Sequence, residues 1–166
     1  MKAGVMSLDE AEFSARILRM KRRLYCVAYS ILWNNADCAD AMQETAARAW
    51  TQRSRLRNED FFETWLVRIL INECKALIRK QRKTEVGLSD DLPGEEKDES
   101  ISIDLQKALK QLKSKYRLPL ILHYQDGYSL REVGQMLGIR ENLVKSRLHQ
   151  ARKELKHLLG GDEDEA

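Results

Sequence analysis

The chain has 166 residues, 43% apolar and 33% charged, with a formal net charge of +3. That length allows one domain or two very small ones, no apolar run approaches the ~18–20 residues that span a bilayer, and no apolar stretch behind a basic start resembles a secretory leader, so the chain is expected in the cytoplasm. Three scattered cysteines without a CxxC pair argue against a zinc site or a disulfide framework, and eight Gly with two Pro argue against a loop-rich β fold.

Ser7 and Glu10 form an S-x-x-E capping pattern. Phe13, Ile17, Met20, Leu24, Val27 and Ile31 then recur at steps of four and three, the period of a helix. Trp33-Asn34-Asn35-Ala36 breaks that period. Asp37 and Asp40 can open a second helix, because short carboxylates accept from the free N–H groups of a helix start. It is expected to run to about Gln52 and to bury Ala39, Met42, Ala46, Ala49 and Trp50. Asp40, Gln43, Glu44 and Ala47 then share a polar-to-acidic outward face, a poor DNA surface that is either solvated or meets a basic protein partner.

Arg53 to Asn58 reads as a basic loop. Arg53, Arg55, Arg57 and Asn58 on flexible backbone could capture a base that has left its duplex. Asp60 and Glu63 open a third helix reaching about Arg82, with Phe62, Trp65, Leu66, Ile69, Leu70, Leu77 and Ile78 on its apolar face. Arg68, Asn72, Lys75 and Arg79 step by four, three and four into one polar stripe beside Trp65. Cations with an amide and an aromatic suit phosphates and an unpaired base; a solvated stripe is the plain alternative. Residues 7–83 are thus expected to form one helical domain.

Residues 84–102 read as an acidic linker, with Gly87, Pro93 and Gly94 and few apolar residues. Residues 84–100 carry seven acids and one Lys, and the tail, residues 160–166, carries four acids, which leaves +13 on the rest of the chain. A basic body with acidic connectors suggests a polyanion partner, nucleic acid first.

The second domain is expected over residues 103–159. Leu105, Ala108, Leu109 and Leu112 mark one short helix. Tyr116 to Tyr124 mark another, with Pro119 in its first turn or kinking it. Ser129 and Glu132 repeat the S-x-x-E start ahead of Val133, Met136 and Leu137. Gly138 can end that helix with a positive φ, Ile139 plugs the turn, and a longer basic helix follows from about Glu141 to Leu158. Two helices around a short Gly-containing turn form a helix-turn-helix.

At 100° per residue, Val144, Leu148, Ala151, Leu155 and Leu158 share the core side of the last helix. Asn142, Ser146, His149 and Lys153 lie opposite. Lys145 and Arg152 occupy one flank, Arg147 and Gln150 the other. Short polar donors flanked by cations suit a major groove, with the cations on phosphates and the first turns at base edges. The expected architecture is therefore all-α: two small helical domains joined by an acidic linker, the C-terminal one a helix-turn-helix. The three histidines, His123, His149 and His157, pair with no carboxylate or cysteine at ligand or catalytic spacing, and no phosphate loop is present. No enzyme activity, metal, cofactor or small-molecule substrate is expected.

At these residues the chain resembles the extracytoplasmic-function (ECF) group of bacterial RNA polymerase sigma factors. The group's D-x-x-Q-E-T motif is met by Asp40-Ala41-Met42-Gln43-Glu44-Thr45, followed by Ala49-Trp50. Its F-x-x-W-L is met by Phe62-Glu63-Thr64-Trp65-Leu66. Its V-K-S-R-L-x-x-A-R-x-x-L run is met by Val144 to Leu155. The motifs stand in order over about residues 10–159. Departures are Gly134 where Ala is usual, Asn142-Leu143 in place of Gly-Thr, and Ala76 where many members carry Asp.

The resemblance implies roles. Asp40, Gln43 and Glu44 would dock on the clamp coiled coil of core RNA polymerase. Arg55, Arg57, Asn58, Trp65, Arg68, Asn72 and Arg79 would bind and help melt the minus-ten element of promoter DNA. Asn142, Lys145, Ser146, Arg147, His149 and Arg152 would read the minus-thirty-five element. The acidic linker would thread through polymerase toward the RNA path. An anti-sigma factor, often membrane-anchored in this group, would hold the protein inactive. A free-standing helix-turn-helix regulator is the other class considered; it leaves the Gln-Glu-Thr face and the Trp-bearing basic helix of the first domain unexplained.

Overall fold

The computed structural model describes residues 8–84 and 103–161. The chain divides into two compact units, one to each side of Pro93–Gly94, and every regular element among the described residues is helical. Most of the expected linker and residues 162–166 of the expected tail lie outside the described residues.

In the first unit α1 spans Glu10–Leu32. Its cap is Asp9, whose side chain accepts from Glu12 N at 2.8 Å, rather than Ser7, which lies outside the described residues. Asp9 stands closer to the periodic run, and Leu8 and Phe13, both buried, occupy the two positions of a hydrophobic staple around it. α1 ends at Trp33, which takes a left-handed conformation (φ 55°) and donates its N–H to Tyr29 O. The ring of Trp33 lies 5.5 Å from that of Tyr29, a contact that helps hold a bulky residue at this unfavourable φ.

α2 spans Asn35–Gln52 and is capped by Asn34, not by Asp37. The expected four-residue break is thus only Trp33 and Asn34. Asp37 sits one turn inside, where its N–H reaches Asn34 Oδ1 and its carboxylate accepts from Gln81 of the third helix at 2.9 Å. The buried positions are Cys38, Ala41, Thr45 and Ala49, one residue displaced from the expected set over most of the helix, and Ala39 is exposed. Thr45 is tolerated inside because its hydroxyl donates to Ala41 O at 2.7 Å. Burial pushes the Cys38 thiol up to about 11 and the Cys74 thiol up to about 12; both are core filler, protonated at neutral pH.

A short 3₁₀ turn, Glu59–Phe61, leads into α3, Phe62–Thr84. α3 therefore extends past Arg82 to the first residue of the expected linker. Phe62, Leu66, Val67, Leu70, Ile71 and Cys74 are its most deeply buried side chains, and α1, α2 and α3 pack pairwise around them.

The second unit begins with α4, Ile103–Gln111, and α5, Ser114–Leu120. Pro119 lies inside α5, two residues ahead of a π turn over Ile121–Gln125, in which Asp126 N reaches Ile121 O at 3.0 Å. The expected single helix from Tyr116 to Tyr124 thus starts earlier, at Ser114, and widens into the π turn after Leu120.

Arg117 holds this corner together. It is 4% exposed, and its guanidinium donates to the carbonyls of Leu109, Lys110 and Leu112 at 3.0, 3.3 and 2.7 Å and to Ser114 Oγ at 3.0 Å. It thereby satisfies the last carbonyls of α4 and the start of α5. Burial pulls its pKa down to about 10, still charged at neutral pH. Arg117→Ala would strand those carbonyls in a buried site and should cost about 3 kcal/mol, read as a lower urea midpoint for the second unit. An unchanged midpoint would show that the guanidinium is not what joins the two helices.

α6 spans Leu130–Leu137 with the reciprocal Ser129–Glu132 capping box in place, and Gly138 closes it at φ 69°. A Cβ on Gly134 would meet Ile139 O at 2.7 Å. An alanine there would force the backbone of the turn to shift. α7, Glu141–Leu158, packs on α4, α5 and α6 through Val144, Leu148 and Ala151. Leu158, expected in the core, is 37% exposed; it is the last residue of α7, whose buried positions are Val144, Leu148 and Ala151.

Candidate functional site

Three surfaces carry the candidate residues. The first is the outward face of α2, where Asp40, Gln43 and Glu44 are all exposed. Asp40 and Glu44 are one turn apart and so point the same way. Arg48 borders them, 3.6 Å from Glu44 and 2.6 Å from Glu73 of α3. The second of these contacts turns the cation toward α3, so the patch stays acidic on its Asp40 side.

The second surface joins the Arg53–Asn58 loop to α3. Arg55, Arg57 and Asn58 are exposed. The expected flexible loop is in fact pinned at both ends. Arg53 lies 3.6 Å over the ring of Trp50 and donates to Trp50 O at 2.6 Å, in a short 3₁₀ turn. Leu56 is buried. Asn58 accepts from Asp60 N at 3.0 Å, so its side-chain carbonyl caps the next turn and its NH₂ is the donor end of the amide.

An aromatic chain carries this anchoring to the stripe. Trp50 meets Phe13 at 5.2 Å, Phe13 meets Phe62 at 6.2 Å, and Phe62 meets Trp65 at 6.0 Å. Trp65 is half-buried, while Arg68, Asn72, Lys75 and Arg79 are exposed along α3. A rigid core thus presents cations and one aromatic edge along a single helix. Sequence reasoning missed Phe61, 47% exposed between the loop and the stripe. The signal was the pair Phe61-Phe62: Phe62 is in helical register with Leu66 and Ile69 on the apolar face of α3, and Phe61 stands about 100° away from it. An exposed ring there offers a stacking platform.

The third surface is α7. Asn142, Lys145, Ser146 and His149 are exposed on its outer side and Arg147 is half-buried. Arg152 is exposed but stands apart from them: its guanidinium donates to the hydroxyl of Tyr124 and lies 5.9 Å from that ring. It thus faces the end of the π turn rather than the first turns of α7. Tyr124, itself 56% exposed, was not foreseen. His123 Nδ1 is 2.7 Å from Tyr128 O. A carbonyl can only accept, so Nδ1 carries the proton and donates, which ties the ring to the turn that leads into α6.

No group of His, Cys, Asp and Glu among the described residues could hold a metal ion, and none of the described helices is long and apolar enough to cross a membrane.

Known proteins resemble the chain over both units. A family model described as sigma-70 region 2 matches residues 17–84, and one described as sigma-70, region 4 matches residues 102–155. The chain is 30% identical over 137 residues to RNA polymerase sigma factor SigV of Bacillus subtilis, covering 80% of this chain and 82% of that protein. It is 29% identical over 155 residues to ECF RNA polymerase sigma factor SigM of Mycobacterium tuberculosis, covering 92% and 79%. Among solved structures, the sigma factor RpoE of Bartonella quintana, in complex with the anti-sigma factor NepR, superposes with a TM-score of 0.78 at 26% identity, covering 92% of this chain and 99% of that one. CnrH in complex with the cytosolic domain of CnrY gives a TM-score of 0.69 at 25% identity, covering 95% and 93%.

Proposed function

The chain belongs to the RNA polymerase sigma factors, in their extracytoplasmic-function group, and from that premise we propose which of its surfaces performs each step of initiation. It binds core RNA polymerase and directs it to promoter DNA. Asp40, Gln43 and Glu44 grip the polymerase. The Arg55–Asn58 loop and the Trp65, Arg68, Asn72, Arg79 stripe hold the opened minus-ten strand. Asn142, Lys145, Ser146 and His149 read the minus-thirty-five element, with Arg147 and Arg152 on the flanking backbone.

The observation that carries this reading is the sorting of charge within the first domain. α2 presents carboxylates and α3 presents cations, each fully outward, so one bundle can hold a protein and a polyanion at once. A free-standing helix-turn-helix regulator has no use for that arrangement. It would bind DNA half-sites stably without polymerase, and such binding in a gel shift would favour it.

The protein performs no covalent chemistry; its work is done by binding. A single-stranded base held by the loop and the stripe offsets the cost of unstacking it. Linking the two DNA-binding domains raises their joint affinity only within reach of the tether; with Thr84 inside α3, about 18 residues extend to at most ~65 Å. Residues 7–83 and 103–159 act as the two domains, the acidic linker 84–102 passes through polymerase between them, and DNA affinity falls with ionic strength. The protein works in the cytoplasm and is held inactive by an anti-sigma factor. The solved complex of RpoE with the anti-sigma factor NepR supports that control.

The α7 assignment is tested by substitution. Lys145→Ala or His149→Ala should relax base preference in the upstream element, by on the order of tenfold at the affected position, in selections with the assembled holoenzyme. A uniform loss over all sequences would mean that the side chain touches phosphate alone.

A further inference from the structure

We propose that Leu143 is a specificity residue of the upstream surface and selects a thymine by its methyl group; the inference rests on the placement of α7 against DNA given above. Leu143 lies on the first turn of α7 and is 42% exposed, next to Val144, which is fully buried. Its N–H donates to Arg140 O at 3.0 Å, so the backbone beneath it is fixed. At 100° per residue it stands on the flank shared with Arg147 and Gln150, beside Ser146.

The other large apolar side chains exposed in this unit have evident settings. Tyr124 bonds Arg152, and Leu158 and Leu159 lie where α7 ends. Leu143 instead sits among polar side chains at the end of the helix from which base edges are reached.

A leucine gains nothing from the hydrogen-bonding groups of base edges. The major groove offers it one apolar group, the C5-methyl of thymine. Asn142, Ser146 and Lys145 supply donors and acceptors, and Leu143 supplies the surface that a methyl can bury against. The substitution of Asn142-Leu143 for the group's Gly-Thr thus adds an amide to the first turn and replaces a hydroxyl-bearing side chain by a larger, wholly apolar one.

The test uses the full chain assembled with core polymerase. An upstream element is selected from a randomised promoter library, and each thymine in it is then replaced by deoxyuridine, which removes the methyl alone. One thymine should prove methyl-sensitive, with binding lowered by about fourfold, the value of one buried methyl. Leu143→Ala should erase that difference and keep the preferences at other positions. Its melting temperature, measured alongside, should be unchanged because the side chain is exposed. An element without a methyl-sensitive thymine, or sensitivity that survives in Leu143→Ala, would overturn the inference while leaving the role of α7 intact. Failure to select any upstream element would overturn both.

Discussion

Replacing Asp40 and Glu44 together by Lys should weaken binding to core polymerase by at least about 100-fold. The two carboxylates stand one turn apart on α2, and both are exposed. Reversal turns two attractive charges into two repulsive ones on a face expected to meet a basic surface. It removes the long-range attraction that speeds encounter and the short-range pairing that slows release. The fold should survive: among the described residues, the one ion pair made by either side chain is the exposed 3.6 Å contact between Glu44 and Arg48, and Arg48 keeps its 2.6 Å contact with Glu73. Surface pairs of that kind contribute little, so the melting temperature should move by no more than a few degrees. The neutral pair Asp40→Asn with Glu44→Gln should fall between wild type and reversal. Unaltered affinity in a titration of labelled protein with core polymerase would remove this face from the interface.

The second large effect is expected at strand opening. Arg68→Ala with Arg79→Ala removes two cations from the α3 stripe without touching its packing, since both are exposed. Holoenzyme carrying the pair should still assemble and still locate the upstream element. The open complex, read as permanganate reactivity of unpaired thymines in the minus-ten region, should drop by on the order of tenfold to a hundredfold and become more salt-sensitive. Trp65 is a poorer probe, because its ring packs on Phe62 at 6.0 Å and its loss would also disturb the core. Wild-type opening by the double variant would confine the stripe to a solvated role.

The outcomes follow from what each residue type can signal locally. Helices α1, α3 and α7 were legible because strongly apolar side chains recur at the helical period against charged ones. α2 was legible in extent but not in rotation. Its many alanines give almost no contrast between faces, and the core is filled by Cys38 and by Thr45, a polar residue satisfied by its own helix. The cap of α2 was misread because Asn34 and Asp37 both suit the position; the choice is settled by Gln81, 44 residues away, which takes the Asp37 carboxylate. Arg117 gave no warning that it is buried, since its partners are the carbonyls at the end of α4 and the Ser114 hydroxyl, which come together only when α4 and α5 fold against each other. The exposed candidate residues were readable because charge on one helical face needs no partner to be seen. The rigidity of the Arg53–Asn58 loop was not, because it comes from a guanidinium resting on a tryptophan and from a buried leucine. Arg152 was placed on its flank correctly by angle, yet its bond to Tyr124 spans 28 residues and could not be foreseen.

The most direct test mixes the purified protein with core polymerase and a library of promoter fragments and maps the 5′ ends of the transcripts. The protein should create start sites absent with core alone, preceded by a shared two-part motif whose halves are separated by a turn or two of DNA. Transcription indistinguishable from that of core polymerase would contradict the account at its root.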